Sequence, residues 1–107
     1  MVRHGEVIAI KPECVDAYAE YHRKVWPEVS KMISECNIRN YSIFLREGLM
    51  FAYYEYVGTD FDADMAKMAA DPNTQKWWSV VKPLQSPLAS RKEKEWWASM
   101  DEVFHQD

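Results

Sequence analysis

Two alternating runs, residues 38–45 and 49–57, are separated only by Arg46-Glu47-Gly48. A connection that short joins neighbouring antiparallel strands, and Gly48 is the residue suited to a positive φ in the turn. The first run places Tyr41, Ile43 and Leu45 on one face. The second is rich in Phe51, Tyr53, Tyr54 and Tyr56, side chains that favour a pleated, half-buried surface. A lone hairpin is marginal in water, so the flanking chain must cover it.

The flanks can do so. Residues 7–10 are strand-like and end at Lys11-Pro12, and Pro12 suits the first turn of a helix, with Glu13 and Asp16 favourable near its positive end. Tyr18, His22, Val25, Trp26, Val29, Ile33 and Cys36 then fall within an arc of about 100°. Pro27 cannot donate to the carbonyl of Arg23, which predicts a kink or a restarted helix there. After the hairpin, residues 60–70 read as a helix burying Phe61, Met65 and Met68. Asp71-Pro72 restarts a helix as N-cap and first-turn proline, and that helix carries Trp77 and Trp78. Residues 83–90 are turn-rich and 100–105 read as a last strand. The order is strand, helix, strand, strand, helix, strand. This is the ferredoxin-like α+β pattern, an antiparallel sheet with helices on one face, in a single domain over residues 1–107. The uncovered face of so aromatic a sheet is expected to meet a second copy, giving a dimeric α+β barrel.

Hydrophobic residues form 48% of the chain, enough for one modest core. A net charge of −4 without a basic run argues against nucleic acid or an anionic membrane as partner. No apolar run approaches the roughly 20 residues of a membrane span. The N-terminus passes into a strand-like pattern rather than a signal peptide, so a cytoplasmic protein is expected. Cys14 and Cys36 fit that setting. On one straight helix they would lie roughly 33 Å apart, at about 1.5 Å per residue, too far for a disulfide. Neither has the short-spaced partner of a metal motif, so no metal site is expected.

Chemistry concentrates on one helix face. Tyr18 and His22 are four residues apart and Trp26 four further on, so a phenol, an imidazole and an indole stack. Histidine suits proton transfer near neutral pH, and aromatic rings suit the apolar face of a small neutral ligand. The same stripe also suits a core. Tyr53 and Glu55 share a strand face, with Glu55 a candidate hydroxyl acceptor; Tyr41, Tyr53 and Glu55 are expected to line a barrel interior between two facing sheets. His4 and His105 read as surface or interface residues, Asp62 and Asp64 as a solvated helix start. Trp96-Trp97 reads as a lid or as dimer packing.

Tyr18-x-x-x-His22-x-x-x-Trp26-Pro27-Glu28, Asn40-Tyr41-Ser42-Ile43, Trp77-Trp78 and Glu102-Val103-Phe104-His105 together resemble the L-rhamnose mutarotase family, from first strand to last. The resemblance implies a ferredoxin-like dimer that interconverts the α and β anomers of a 6-deoxyhexose without a cofactor. It implies His22 as proton donor and Tyr18, Tyr41, Trp77 and Trp78 as sugar contacts. The compact turn at Arg46-Glu47-Gly48 and the additional Glu95-Trp96-Trp97 depart from the pattern, and leave L-fucose or another 6-deoxy sugar open beside L-rhamnose. Two other readings stand beside it. One is a dimeric ferredoxin-like haem-binding or monooxygenase protein with His22 as axial ligand, which haem addition would reveal by a Soret band. The other is a non-catalytic sugar-binding dimer, which would bind sugar without altering its exchange rate.

Overall fold

The computed structural model describes residues 1–107. Its elements are β1 (Val2–Ile10), α1 (Val15–Arg23), α2 (Pro27–Glu35), β2 (Ile38–Arg46), β3 (Leu49–Tyr56), α3 (Phe61–Ala70), α4 (Pro72–Val81), β4 (Gln85–Ser86) and β5 (Ala98–Met100), with 3₁₀ turns at Pro12–Cys14 and Lys82–Leu84. The antiparallel sheet runs β2-β3-β1-β4, and β5 shares the outer edge of β1 with β4. This is the ferredoxin-like order, the helices all lying on one side.

Local chemistry sets most boundaries. The hairpin turn is tight, with Glu47 at φ 53° and Gly48 at φ 77°, and Arg46 pairs with Leu49. Positive φ at both central residues is what matches a two-residue turn to twisted strands. Pro27 breaks the first helical segment in two, as its missing N–H requires. Trp26, held extended by the proline after it (φ −58°, ψ 133°), caps the restart. The Asp60 and Asp71 carboxylates accept from the backbone N–H groups of Ala63 and Thr74, capping α3 and α4. Asp64 is more than a solvated carboxylate, since Tyr56 Oη and Asn37 Nδ2 both donate to it.

The sheet face under the helices carries the core: Ile8, Ile10 and Met50 pack with Tyr18, Val29, Trp77 and Val81. Ile38, Tyr54 and Tyr56 form a second cluster, against which Phe61, Met65 and Met68 lie half-buried. Cys14 and Cys36 are free thiols, one in the first 3₁₀ turn and the other at the C-cap of α2.

The strands differ from the sequence reading at β1, at the last strand, and at β4, a two-residue strand inside the stretch read as turn-rich. β1 begins at Val2, five residues before the expected start. The last strand ends at Met100, and residues 101–107 have no regular structure. Gly5 pairs with Met100, so Glu102 falls opposite Arg3 and holds it by an ion pair at 2.9 Å. Val103 would fall beside Val2, where β1 runs out; a strand to residue 105 has nothing to pair with.

The register of β2 changes once. Arg39 lies opposite Glu55 and Ser42 opposite Tyr53, so β2 advances three residues for two on β3. The extra residue is accommodated at Asn40, whose φ is 51°. Asn tolerates that left-handed conformation, and a bulge of this kind re-aims the side chains beyond it. Without it Tyr41 would stand opposite Tyr53. With it Tyr41 turns to the helix-covered face, against Tyr54 at 5.5 Å between ring centroids.

Candidate functional site

The break before Pro27 puts His22 in the last turn of α1. Its Nδ1 lies 2.8 Å from the Tyr18 carbonyl oxygen. A carbonyl only accepts, so Nδ1 carries the hydrogen and the neutral ring keeps its lone pair on Nε2. Tyr18 stacks on the imidazole at 4.2 Å between ring centroids, and Trp77 of α4 meets it edge-on at 5.2 Å. Trp26 and Tyr21 pack on Trp77 in turn, at 5.1 and 6.3 Å. The ring is therefore clamped from two sides. Burial lowers its pKa below the ordinary 6.5, against a smaller opposing effect of the Tyr18 carbonyl, so His22 is mostly neutral at pH 7.

Next to it, between α1 and the sheet, lies a cavity of about 160 Å³ lined by Val15, Tyr18, Ala19, His22, Ile43, Leu45 and Met50. Its walls are apolar apart from the phenol and the imidazole. Tyr41 reaches the same region. Although the residue is 43% exposed, desolvation raises the pKa of its hydroxyl, and the nearby Glu6 and Tyr18 raise it further.

The hydroxyl of Tyr18 is polarised by a relay. Trp96 Nε1 donates to Gln85 Oε1 at 2.7 Å, and Gln85 Nε2 donates to Tyr18 Oη at 3.1 Å. An indole N–H only donates, which fixes the Gln85 amide; Tyr18 then accepts, leaving its own proton free for another partner. Gln85 is buried. Trp96 is half-buried against the core and anchors this relay.

The structure thus brings together Tyr18, His22, Trp77 and Tyr41. Trp78 is turned toward Lys82, whose ammonium lies 4.5 Å above its ring and 5.4 Å from that of Trp96. Tyr53 and Glu55 lie on the opposite sheet face, where Tyr53 Oη and Asn40 Nδ2 each donate to Glu55 at 2.7 Å. The expectation that Tyr41, Tyr53 and Glu55 line one interior is corrected by the Asn40 bulge, which separates Tyr41 from the other two. A barrel formed by facing sheets would not enclose His22. His4 is half-buried, stacked between Tyr54 and Phe61 at 4.8 and 4.7 Å, and burial lowers its pKa. His105 lies in the exposed tail beside Asp107.

Sequence reasoning missed Gln85 and Glu6. Gln85 sits in a turn-rich stretch with no pattern to mark it. Glu6 did have a signal. It shares the period of His4, Ile8 and Ile10, so it is a carboxyl on the covered face of β1. Tyr54 Oη donates to Glu6 Oε2 at a long 3.4 Å. Burial pushes the Glu6 carboxyl up from 4.5 to about 7; Tyr54 opposes the shift and the charge of Glu95 adds to it. Between those two pH values the unfolded chain binds fewer protons than the folded one, so this group makes stability fall as pH rises. The shift is on the order of 3 kcal/mol by pH 8. Glu6→Gln should remove that component, and urea midpoints at pH 5 and pH 8 for both proteins would measure it. An unchanged pH response in the variant would contradict the buried carboxyl.

The model of the L-rhamnose mutarotase family matches residues 3–106. An L-rhamnose mutarotase of Oceanobacillus iheyensis is 30% identical, the alignment spanning all of both chains. In solved structures, an L-rhamnose mutarotase from Formosa agariphila superposes over the whole of both chains with a TM-score of 0.79 at 21% identity. The tetracenomycin F2 cyclase of Streptomyces glaucescens shares the fold, with a TM-score of 0.75 at 15% identity over all of this chain and 98% of the other. A family match across nearly the full length, a relative aligned end to end, and a clamped His22 beside an apolar cavity lead to one conclusion: the chain belongs to the L-rhamnose mutarotase family.

Proposed function

We propose that this protein interconverts the α and β anomers of L-rhamnose or a related 6-deoxyhexose such as L-fucose, with His22 moving the proton and no cofactor. Anomer exchange opens the C1–O5 bond, passes through the free aldehyde and recloses after rotation about C1–C2. It needs one group at O1 and one at O5, and no electron leaves the sugar. The observation that carries the reading is the fixed tautomer of His22. With Nδ1 tied to a carbonyl and the ring largely neutral, Nε2 can take a proton on opening and return it on closing. It is base and then donor in one cycle.

The surroundings support a deoxy sugar. Val15, Ile43, Leu45 and Met50 offer apolar area to the ring C–H groups and a 6-methyl, at roughly 25 cal/mol per Å² buried. Tyr18, with its proton free, and Tyr41 offer hydroxyls to the sugar's own. Trp77 acts from behind, as the surface that holds His22. Trp78, the remaining aromatic of the resemblance, is the one left to meet ligand from the α4 side. Saturation-transfer NMR between anomeric protons would test the proposal. Exchange should accelerate for L-rhamnose, L-fucose or both, and less for common hexoses bearing a 6-hydroxyl. No acceleration for any sugar would overturn it.

The proposal includes a homodimer. Phe44 and Phe51 are cross-strand neighbours on the uncovered sheet face and are 67% and 37% exposed. Met100, Val103 and Phe104, near the C-terminus, add exposed apolar surface. Apolar exposure of this kind fits a second copy meeting the first sheet to sheet, with C2 symmetry. Wild-type protein should sediment at twice 12.6 kDa, and Phe44→Asp should shift it toward the monomer. A monomeric wild type at micromolar concentration would remove the dimer. No helix is long and apolar enough to cross a membrane. Two free thiols suit the reducing cytoplasm, where we place the protein.

A further inference from the structure

We infer that the Glu6 carboxyl is the second proton-transfer group of the reaction, acting from the sheet floor while His22 acts from the helix wall. The inference rests on the mutarotase reading above and names the partner that this reading leaves open.

The sheet register places Glu6 there. Across the helix-covered face, Ile43 lies opposite Ala52 and Ala52 opposite Glu6. Ile43 is in the cavity wall. Ala52 has the smallest side chain on that face of β3, so little bulk separates Ile43 from the carboxyl. From the other direction, the Tyr41 ring lies 5.5 Å from that of Tyr54, whose hydroxyl donates to Glu6, and the Tyr41 hydroxyl is near both Glu6 and Tyr18. Tyr18 is the ring stacked on His22. One group of side chains therefore runs from the imidazole to the carboxyl without leaving the covered face.

The pairing of Glu6 is unlike that of a structural carboxylate. Glu102 is held by Arg3, and Asp64 by Tyr56 and Asn37. Glu6 is half-buried, and its one hydrogen-bond partner is Tyr54 at 3.4 Å. The titratable groups that face it are Tyr54 of β3, Tyr41 of β2, Glu95 before β5 and, one pleat along β1, His4. None is a cation at neutral pH, because burial keeps His4 below its ordinary value. An acid so placed holds its proton to about pH 7, where it can both give and regain one.

The step balances. On opening, neutral Nε2 of His22 takes the O1 proton, O1 forms a double bond to C1, and the C1–O5 pair goes to O5. The Glu6 carboxylic acid gives its proton to O5. After rotation about C1–C2, O5–H attacks the other face of C1, the Glu6 carboxylate takes that proton, and the imidazolium returns its own to O1. Nothing is consumed.

The test compares wild type, Glu6→Gln, Glu6→Asp and His22→Ala by anomeric exchange NMR from pH 5 to 9, with L-rhamnose and L-fucose. Glu6→Gln keeps the shape and can still accept from Tyr54. Its kcat should fall about 10²-fold, the usual scale for a lost acid–base group, with KM little changed. Wild-type kcat/KM should decline above about pH 7, and the Gln variant should lack that limb. Glu6→Asp should recover part of the rate, and it serves in place of the Gln variant should that one not fold. A Gln variant with wild-type kcat, one changed only in KM, or one that keeps the alkaline limb would overturn the inference. If His22→Ala loses activity while Glu6→Gln does not, the mutarotase reading stands and Glu6 is removed from it. A wild type that accelerates no sugar removes both.

Discussion

His22→Ala is expected to return anomer exchange to its spontaneous rate. An acid–base group of this kind contributes roughly 10²- to 10⁴-fold, and without Nε2 nothing else on α1 can exchange a proton near pH 7: Tyr18 is a phenol whose pKa burial raises further above 10. The fold should survive. His22 is only half-buried, and the variant gives up its packing against Tyr18 and Trp77, aromatic pairs worth about 0.5–1.5 kcal/mol each. Exchange NMR together with a urea titration would separate the two effects. A folded variant with wild-type exchange would remove His22 from the mechanism.

Trp77→Ala is expected to have the largest effect on stability. Trp77 is 6% exposed and belongs to the main core, where Tyr21, His22 and Trp26 pack around it. Truncating a buried tryptophan costs about 3–5 kcal/mol, against the roughly 5–15 kcal/mol that holds a whole domain. Trp78→Ala should cost much less, because that ring is half-exposed and its distinctive neighbour is the Lys82 ammonium, an interaction worth about 0.5–1 kcal/mol at such a site. If Trp78 touches the sugar, its loss shows in KM instead. Urea midpoints rank the two, and a Trp78 variant less stable than the Trp77 one would reverse the assignment of roles.

Those two tryptophans mark the reach of local pattern. Adjacent helical residues point about 100° apart, so the pair had to divide between core and periphery. Which one took the core depends on where α4 lands against α1 and α2, and no local pattern contains that. The hairpin, the restart at Pro27 and the Asp71 cap were readable because each is decided within about four residues by φ, by a missing N–H or by a short carboxylate. The Tyr18–His22 stack was readable for the same reason, through the i, i+4 geometry of one helix turn.

Residues brought in from a distance were not. Glu6 meets Tyr54 across 48 positions and Gln85 meets Tyr18 across 67; both pairings exist only once strand order and register are fixed. The face of Tyr41 is the clearest case. Simple alternation set it with Tyr53 and Glu55, and one extra residue at Asn40 moved it to the other side of the sheet. The length of the last strand followed the same rule: its pairing partner β1 begins at Val2, which leaves no backbone for a strand running to residue 105. Local chemistry in the chain was enough to define the helices, the hairpin and its turn, and the helix face that bears His22. Which carboxyl, amide and indole surround that histidine was settled by packing and register, because a side chain's period is a local property and its neighbour across the sheet is not.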